Sequence, residues 1–326
     1  MKKERKAVAL FVTLGILSLI SLMIMNAFSF MTKNFKHVEN IEKINQTKVV
    51  ISDFQDVLSV ITKEIKDADI LYQFIGAYPP ISDEDGLFSL SFEMKSLSKA
   101  ININLIIEDK NSSTPDIVPQ IKEIYLPIFE FIFNTYQIRD GELLLNYIAD
   151  TLDTDSVERD LNTELLLNDT SFLNGLIVNW EQFKQILIEY QNQTDDREVM
   201  KVPWQDFFYF SYDKDESMID CNFMSINLAN ALELDIYVSG ESQEVYSEAV
   251  IESPSISCDM IESSENSEKM KIYNIKEFNS SDKYIIGGVV EYSTNAVNDS
   301  FKFIYNLKNK RIVDIEVKEI STEDSQ

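Results

Sequence analysis

Residues Ala7–Met31 read AVALFVTLGILSLISLMIMNAFSFM and carry no charged side chain. At a rise of about 1.5 Å per residue, a helix of this length crosses a hydrocarbon core of roughly 30 Å. Lys2, Lys3, Arg5 and Lys6 precede it, opposed by Glu4 alone. Positive charge beside a first apolar span stays in the cytoplasm. The expectation is a single-pass inner-membrane protein with a cytoplasmic N-terminus and the bulk of the chain in the periplasm. A cleaved secretory signal has an apolar region of about 7–15 residues followed by a small-x-small site. This run is longer, and no such site follows it.

Working outward, the next Gly or Pro after the apolar run is Gly76, followed by Pro79 and Pro80. Apolar or small residues fall at Ile51, Phe54, Leu58, Ile61, Ile65, Ala68, Tyr72 and Ile75. Gaps of three and four mark one face of a helix, so the spacing predicts a helix continuing to about Ile75. Such a stripe needs a partner surface, which a sheet can supply. Leu87–Glu93 reads as a strand, and Ala100–Leu105 as a short extended piece. From about Thr114 the period becomes helical: Asp116–Tyr136 with Pro127 as a kink, Gly141–Asp150, Asn179–Tyr190 and Ser225–Leu234. Ser239–Glu268 is rich in Ser and Glu and reads as a linker. Lys271–Phe278, Tyr284–Tyr292, Phe301–Leu307 and Arg311–Glu319 are β-rich runs separated by turn residues. The order is long helix, strands, helical block, strands. It fits an α+β protein in which a helical domain is inserted into a helix-plus-sheet domain.

The 326 residues carry a formal net charge of −26. Four bases and one acid lie in the leader and anchor, leaving about −29 on the remainder. Phosphate binding needs the opposite sign, so nucleic acid is excluded as a partner. A charge of this size keeps a domain soluble and repels itself, so either a solvated acidic surface or bound cations fit. Asp150, Asp153 and Asp155, with Glu158 behind them, end the second predicted helix. Asp-x-x-Asp-x-Asp can aim several oxygens at one point, which suits Ca²⁺ with its 6–8 oxygen ligands. Asp213, Asp215, Glu216 and Asp220 form a second acidic run. Cys221 and Cys258 are the two cysteines, and either a disulfide or two buried thiols fits. Catalytic signatures such as G-x-S-x-G, H-E-x-x-H and the P-loop are missing, and His37 is the single histidine. The reading is non-enzymatic.

The layout at the N-terminus separates two kinds of anchor. In a prepilin-type leader a few basic residues end in a small residue, and cleavage falls before the apolar helix. Lys6-Ala7 followed by Val8-Ala9-Leu10-Phe11-Val12 has this layout, with Ala7 and Val8 as the cleavage pair. Ile101-Asn102-Ile103-Asn104, Ala149-Asp150-Thr151-Leu152-Asp153-Thr154-Asp155, Trp180-Glu181-Gln182-Phe183 and Ser225-Ile226-Asn227-Leu228-Ala229 follow in order. Together these resemble the K-type minor pseudopilin family of the bacterial type II secretion system.

The resemblance implies a pilin-like long N-terminal helix packed on an antiparallel sheet, with a large inserted all-helical domain. On that pattern residues 1–7 are a leader and 8–31 a transmembrane helix. Residues 32–98 and 240–326 form the pilin-like domain, and 99–239 the insertion. It implies a place at the tip of a periplasmic pseudopilus and a part in starting its assembly for protein export. The implied partners are the I- and J-type minor pseudopilins, the major pseudopilin, the inner-membrane assembly platform and the prepilin peptidase. Ca²⁺ binding in the helical domain is implied for some members. Major pilins carry Glu at the fifth mature position, here Val12. An ionised carboxylate in the membrane is costly unless paired. A tip subunit has no neighbour beyond it, so an apolar residue there suits membrane-helix assembly. The alternative is a signal-anchored periplasmic scaffold or a type IV pilus minor subunit. N-terminal sequencing of the mature protein from membranes is expected to start at Val8. A start at Met1 means an uncleaved anchor, and one near Ser29–Thr32 a released protein.

Overall fold

The computed structural model describes residues 25, 41 and 43–317, except 83–84, 86–87, 109–119, 171, 214–216, 238–255 and 295–297. Ala7, Val8 and Val12, and all of Ala7–Met31 save Met25, lie outside the described residues, as does His37. Among the described residues no helix is long and apolar enough to cross a membrane.

The chain is helical over 43–61 (α1) and tightens into a 3₁₀ turn at Thr62–Glu64. The helix predicted to run to Ile75 is therefore interrupted. Ile65 is extended, and Asp67 starts a new helix, α2 (Ala68–Phe74), by accepting a bond from Ile70 N–H at 3.0 Å. An N-cap aspartate satisfies a donor that the first turn leaves open. β1 (Gly76–Ser82) follows and contains the Pro79-Pro80 pair. Proline cannot donate to a ladder, and β1 is an edge strand with a register shift between Tyr78 and Ile81, where this is tolerated.

β2 (Phe88–Ser96) pairs antiparallel with β1. The chain then leaves the sheet through β3 (Ile101–Asn102) and a 3₁₀ turn, Ile103–Leu105, where an extended piece was expected. The helical block comprises α3 (Leu126–Tyr136), α4 (Gly141–Leu152), α5 (Leu165–Asn168) and α6 (Trp180–Thr194). Pro127 lies in the first turn of α3 and not at a kink. There its missing N–H costs no helical bond. β4 (Phe208–Tyr209) pairs parallel with β3, and β5 (Ile219–Asp220) leads to α7 (Ile226–Ala231). α8 (Ser267–Ile272) takes up the first two residues, Lys271 and Ile272, of the run Lys271–Phe278 read as a strand. Only Ile275–Lys276 (β6) is extended there, pairing parallel with β5.

β7 (Ile285–Thr294), β8 (Asn298–Asn306) and β9 (Arg311–Val317) complete an antiparallel five-stranded sheet in the order β1-β2-β7-β8-β9. β2 and β7, separated in sequence by the whole helical block, are direct neighbours, with Ser96 opposite Ile286.

Two large cores result. One joins α1 and α2 to a face of the sheet through Phe54, Leu58, Leu71, Val290, Phe301 and Phe303. Phe54 meets Phe303 edge to face, with ring centroids 5.0 Å apart. Gly288 permits this approach: a Cβ there would stand 2.7 Å from the Phe303 ring and 2.3 Å from the Glu93 carbonyl. Thr47 and Thr62 lie on the buried side of this first segment. Their hydroxyls bond Tyr292 and Tyr305 of the sheet at 2.6 and 2.9 Å. The other core belongs to the helical block, with Phe129, Leu144, Phe183, Tyr190 and Trp204 fully or almost fully buried. Cys221 and Cys258 form a disulfide with Cα atoms 4.9 Å apart, which settles the open pairing. Phe54→Ala is expected to cost about 3–5 kcal/mol in a urea melt, because it empties the contact between α1 and the sheet.

Candidate acidic centre

Asp140 caps the start of α4, accepting from Leu143 N–H at 3.1 Å, and Asp153 is its C-cap. Asp150 is therefore in the last turn. A helix C-terminus carries partial negative charge, so two carboxylates there are opposed by the helix itself. Both are buried, Asp150 at 0% and Asp153 at 4% exposure. Buried charge is tolerated when it is paired.

The pairing comes from Arg159. The loop after α4 folds back, so that Arg159 N–H donates to Asp150 Oδ2 at 3.1 Å. The Arg159 Nη1 group contacts Asp150 Oδ1 and lies 2.6 Å from Asp153 Oδ2. The second contact is an ion pair lying off the hydrogen-bond direction. Asp155 is half-buried, with its carboxylate accepting from Val157 N–H at 3.0 Å. Glu158 is exposed. The structure thus gathers Asp150 and Asp153 around one guanidinium, with Asp155 alongside and Glu158 at the surface.

Two residues that spacing did not single out complete the centre. Glu164 is fully buried, and Asn174 Nδ2 donates to Glu164 Oε1 at 2.7 Å and to the Asp155 carbonyl at 3.0 Å. Asp153 Oδ1, Glu164 Oε2 and Asn174 Oδ1 are buried and accept no hydrogen bond. Burial pushes the Glu164 carboxyl up to about 7; Asn174 opposes this, while Asp150 and Asp153 add to it. Burial also raises Asp153, against the pull of Arg159. The ionised centre holds three carboxylates against one guanidinium. Free carboxylate and amide oxygens beside uncompensated negative charge are the donor set of a hard divalent cation. The donor types are those of Ca²⁺, but Asp150, Asp153 and Glu164 do not bring three carboxylate oxygens within 4.8 Å of one another. Gly175, next to Asn174, has φ +88°, a left-handed conformation suited to glycine. A Cβ there would also meet Thr154 Cγ2 at 2.8 Å.

The other motifs hold the chain together. Asn104 Oδ1 accepts from Ile177 N–H at 2.8 Å, and its Nδ2 donates to the Ile177 and Ser211 carbonyls at 2.9 and 3.1 Å. Asn102 Nδ2 donates to the Asp213 carbonyl at 2.9 Å. Asn179 caps α6, and Gln182 closes the cap by accepting from Val178 N–H at 2.7 Å. Ser225 caps α7. The second acidic run does not gather. Asp213 pairs with Lys283 at 2.8 Å, residues 215–216 lie outside the described residues, and Asp220 is fully buried elsewhere.

Asp220 lies at the seam of the two cores. Its Oδ1 accepts from Tyr72 OH at 3.1 Å and from Asn222 N–H at 3.0 Å. Cys221 and Cys258 lie close by, but disulfide sulfur lacks the thiolate that ligates metal. A separate cleft of about 400 Å³ lies between the sheet and the helical block, with Trp180, Phe210, Tyr212 and Asp314 on its walls.

No family model matches the chain, and no curated protein matches it in sequence. Among solved structures it is similar to a chain of the crystal structure of the GspK-GspI-GspJ complex from the enterotoxigenic Escherichia coli type 2 secretion system. The TM-score is 0.50 at 9% identity, over 86% of this chain and 98% of that one. At this identity the likeness establishes the fold: a mixed helix-and-sheet chain with an antiparallel sheet, as in a component of that complex.

Burial raises the Asp220 carboxyl to about 6, against the hydrogen bonds that it accepts. A raised carboxylate contributes stability that is present below its ordinary range and lost as pH rises through the folded value. Asp220→Asn is expected to reduce the loss of stability between pH 4 and 7 by about 1–3 kcal/mol in urea melts across that range.

Proposed function

We propose that this chain is a K-type minor pseudopilin of a type II secretion system. It is placed at the pseudopilus tip and helps to start assembly together with I- and J-type subunits. The role is structural and not catalytic. The observation that carries the reading is the fold: a helix on a five-stranded sheet, with a helical block between neighbouring strands β2 and β7. This fold is shared over 86% of the chain with a member of a three-protein secretion complex. The charge-free run Ala7–Met31, the leader-like Lys6-Ala7-Val8 junction and the apolar Val12 support it independently. On α1, Ile44, Val49, Val57 and Val60 remain exposed, which suits a helix that packs against other helices.

On the same reading Asp153, Glu164 and Asn174 would hold a Ca²⁺ ion through their free oxygens. Bound Ca²⁺ would supply the positive charge that the buried carboxylates lack. Asp150 keeps the loop closed through Arg159.

Purification of the tagged full chain from crosslinked membranes of its own host is expected to recover two further pilin-like subunits. Deletion of the gene is expected to abolish export while leaving the inner membrane intact. Recovery of the chain alone, with export unchanged, would favour a signal-anchored scaffold. Recovery with components of surface pili would favour the type IV pilus reading.

A further inference from the structure

The face of the sheet turned away from α1 carries a carboxylate that its strand neighbours do not compensate. On β9, Glu316 lies opposite Lys302 of β8 and pairs with it at 3.0 Å. Asp314, two residues earlier on the same face, lies opposite Ile304 instead. The row continues through Gly287 to Lys95. The ammonium at its end therefore stands three strand spacings, about 14 Å, from Asp314. Among the described residues no cation pairs with Asp314. Burial pushes its carboxyl up to about 6; a bond from Ile315 N–H opposes this, and Glu316 adds to it. Aromatic side chains close around the same point. Asn179 Nδ2 donates to Glu316 Oε1 at 3.4 Å, which brings the start of α6 over β9. Trp180, the next residue, has its ring centroid 6.3 Å from that of Phe210. Tyr212, two residues beyond Phe210, is close enough to Asp314 for that charge to raise its phenol, after the larger effect of burial. Asp314, Trp180, Phe210 and Tyr212 thus surround one cleft of about 400 Å³.

We propose that this cleft receives an arginine side chain presented by an extended segment of another protein, its guanidinium paired with Asp314 and stacked on the aromatic walls. A half-buried carboxylate without a counter-ion is matched by a ligand that brings the missing positive charge. Aromatic faces beside it favour a cation, and among side-chain cations they favour arginine. The guanidinium is planar, weakly hydrated and always charged, whereas the lysine ammonium is compact and strongly hydrated. The volume falls within the roughly 300–1,000 Å³ of ligand pockets and exceeds what one side chain fills. Residues flanking the arginine would cover Ile304 and Phe210, which are half-buried. The net charge of −26 draws a basic segment towards the chain and sets the sign of the partner. The inference stands on the cleft alone and is independent of the calcium and pseudopilin readings.

The test titrates the full chain in maltoside micelles with acetyl-Leu-Arg-Leu-amide by calorimetry, with empty micelles as the blank. Counterparts with lysine or citrulline at the centre follow; citrulline keeps the shape of arginine and removes its charge. The arginine peptide is expected to bind about tenfold more tightly than the citrulline peptide, with lysine between them. Asp314→Asn is expected to bring the arginine peptide to the citrulline level, and Tyr212→Ala to weaken it several-fold. Glu123→Gln removes an equal charge from an exposed position before α3 and is expected to change nothing. Circular dichroism checks that each variant is folded, and the comparison of peptides on the wild type needs no variant. Equal binding of the arginine and citrulline peptides, or no binding of either, would overturn the proposal. An equal loss in Glu123→Gln and Asp314→Asn would trace the attraction to net charge and overturn it too. A wild-type dimer in sedimentation that Asp314→Asn converts to monomer would place a second copy in the cleft, against a different partner.

Discussion

The apolar side of the first described helical segment cannot face water over its whole length, and the sheet gives it cover. Phe54 and Leu58 sink among the sheet side chains, and Phe54 meets Phe92, Phe301 and Phe303 edge to face. Apolar burial is strong and non-directional, so it brings helix and sheet together without fixing their register. Register comes from the hydroxyl pairs Thr47–Tyr292 and Thr62–Tyr305, which are buried and directional. Everything else hangs from this junction. The sheet positions β2 and β7, those two strands fix where the helical block leaves and returns, and the block positions the acidic centre.

The parts of this plan with local signals were legible in the sequence. Of the stripe marked by three-four spacing, Phe54, Leu58, Ile65 and Ala68 are in the core, Ile51, Tyr72 and Ile75 are partly buried against it, and Ile61 is exposed. The β-rich composition of the last third, with turn residues between its runs, marked β7, β8 and β9. What failed depended on a single residue or on partners distant in sequence. Asp67 divides the helix because its side chain caps a new one, an effect that an apolar stripe does not register. Pro79-Pro80 marks a sheet edge and not merely a helix stop, which requires knowing that β1 has a neighbour on one side alone. The run at Lys271–Phe278 has strand composition, but its first residues complete α8. Tertiary context outweighs β propensity there.

The acidic centre divides in the same way. Asp150, Asp153 and Asp155 stood out because they share one short stretch. Glu164 and Asn174 did not, since nothing near them in sequence marks their relation to α4. Arg159 could have been found by asking what compensates two carboxylates at a helix C-terminus. Asn102 and Asn104 stood out in the sequence as an Asn-x-Asn element. Their use became clear only with Ile177, Ser211 and Asp213 in place, because their amides bond backbone that is remote in sequence.

The neck of the helical block sets how the molecule carries load. The chain leaves β2 and re-enters β7 at adjacent points, where Leu97 and Ser98 both donate to the Ile285 carbonyl. Just inside, Asp220 N–H donates to the Ser98 carbonyl, and the β5–β6 pair and the Cys221–Cys258 disulfide lie beside it. Were the chain pulled through its first described helix, the tension would pass into the sheet through their shared core and spread as shear over paired strands. The helical block lies to the side of that line. It is tethered at both ends to one spot on the sheet, so it can be carried and presented without bearing the pull itself.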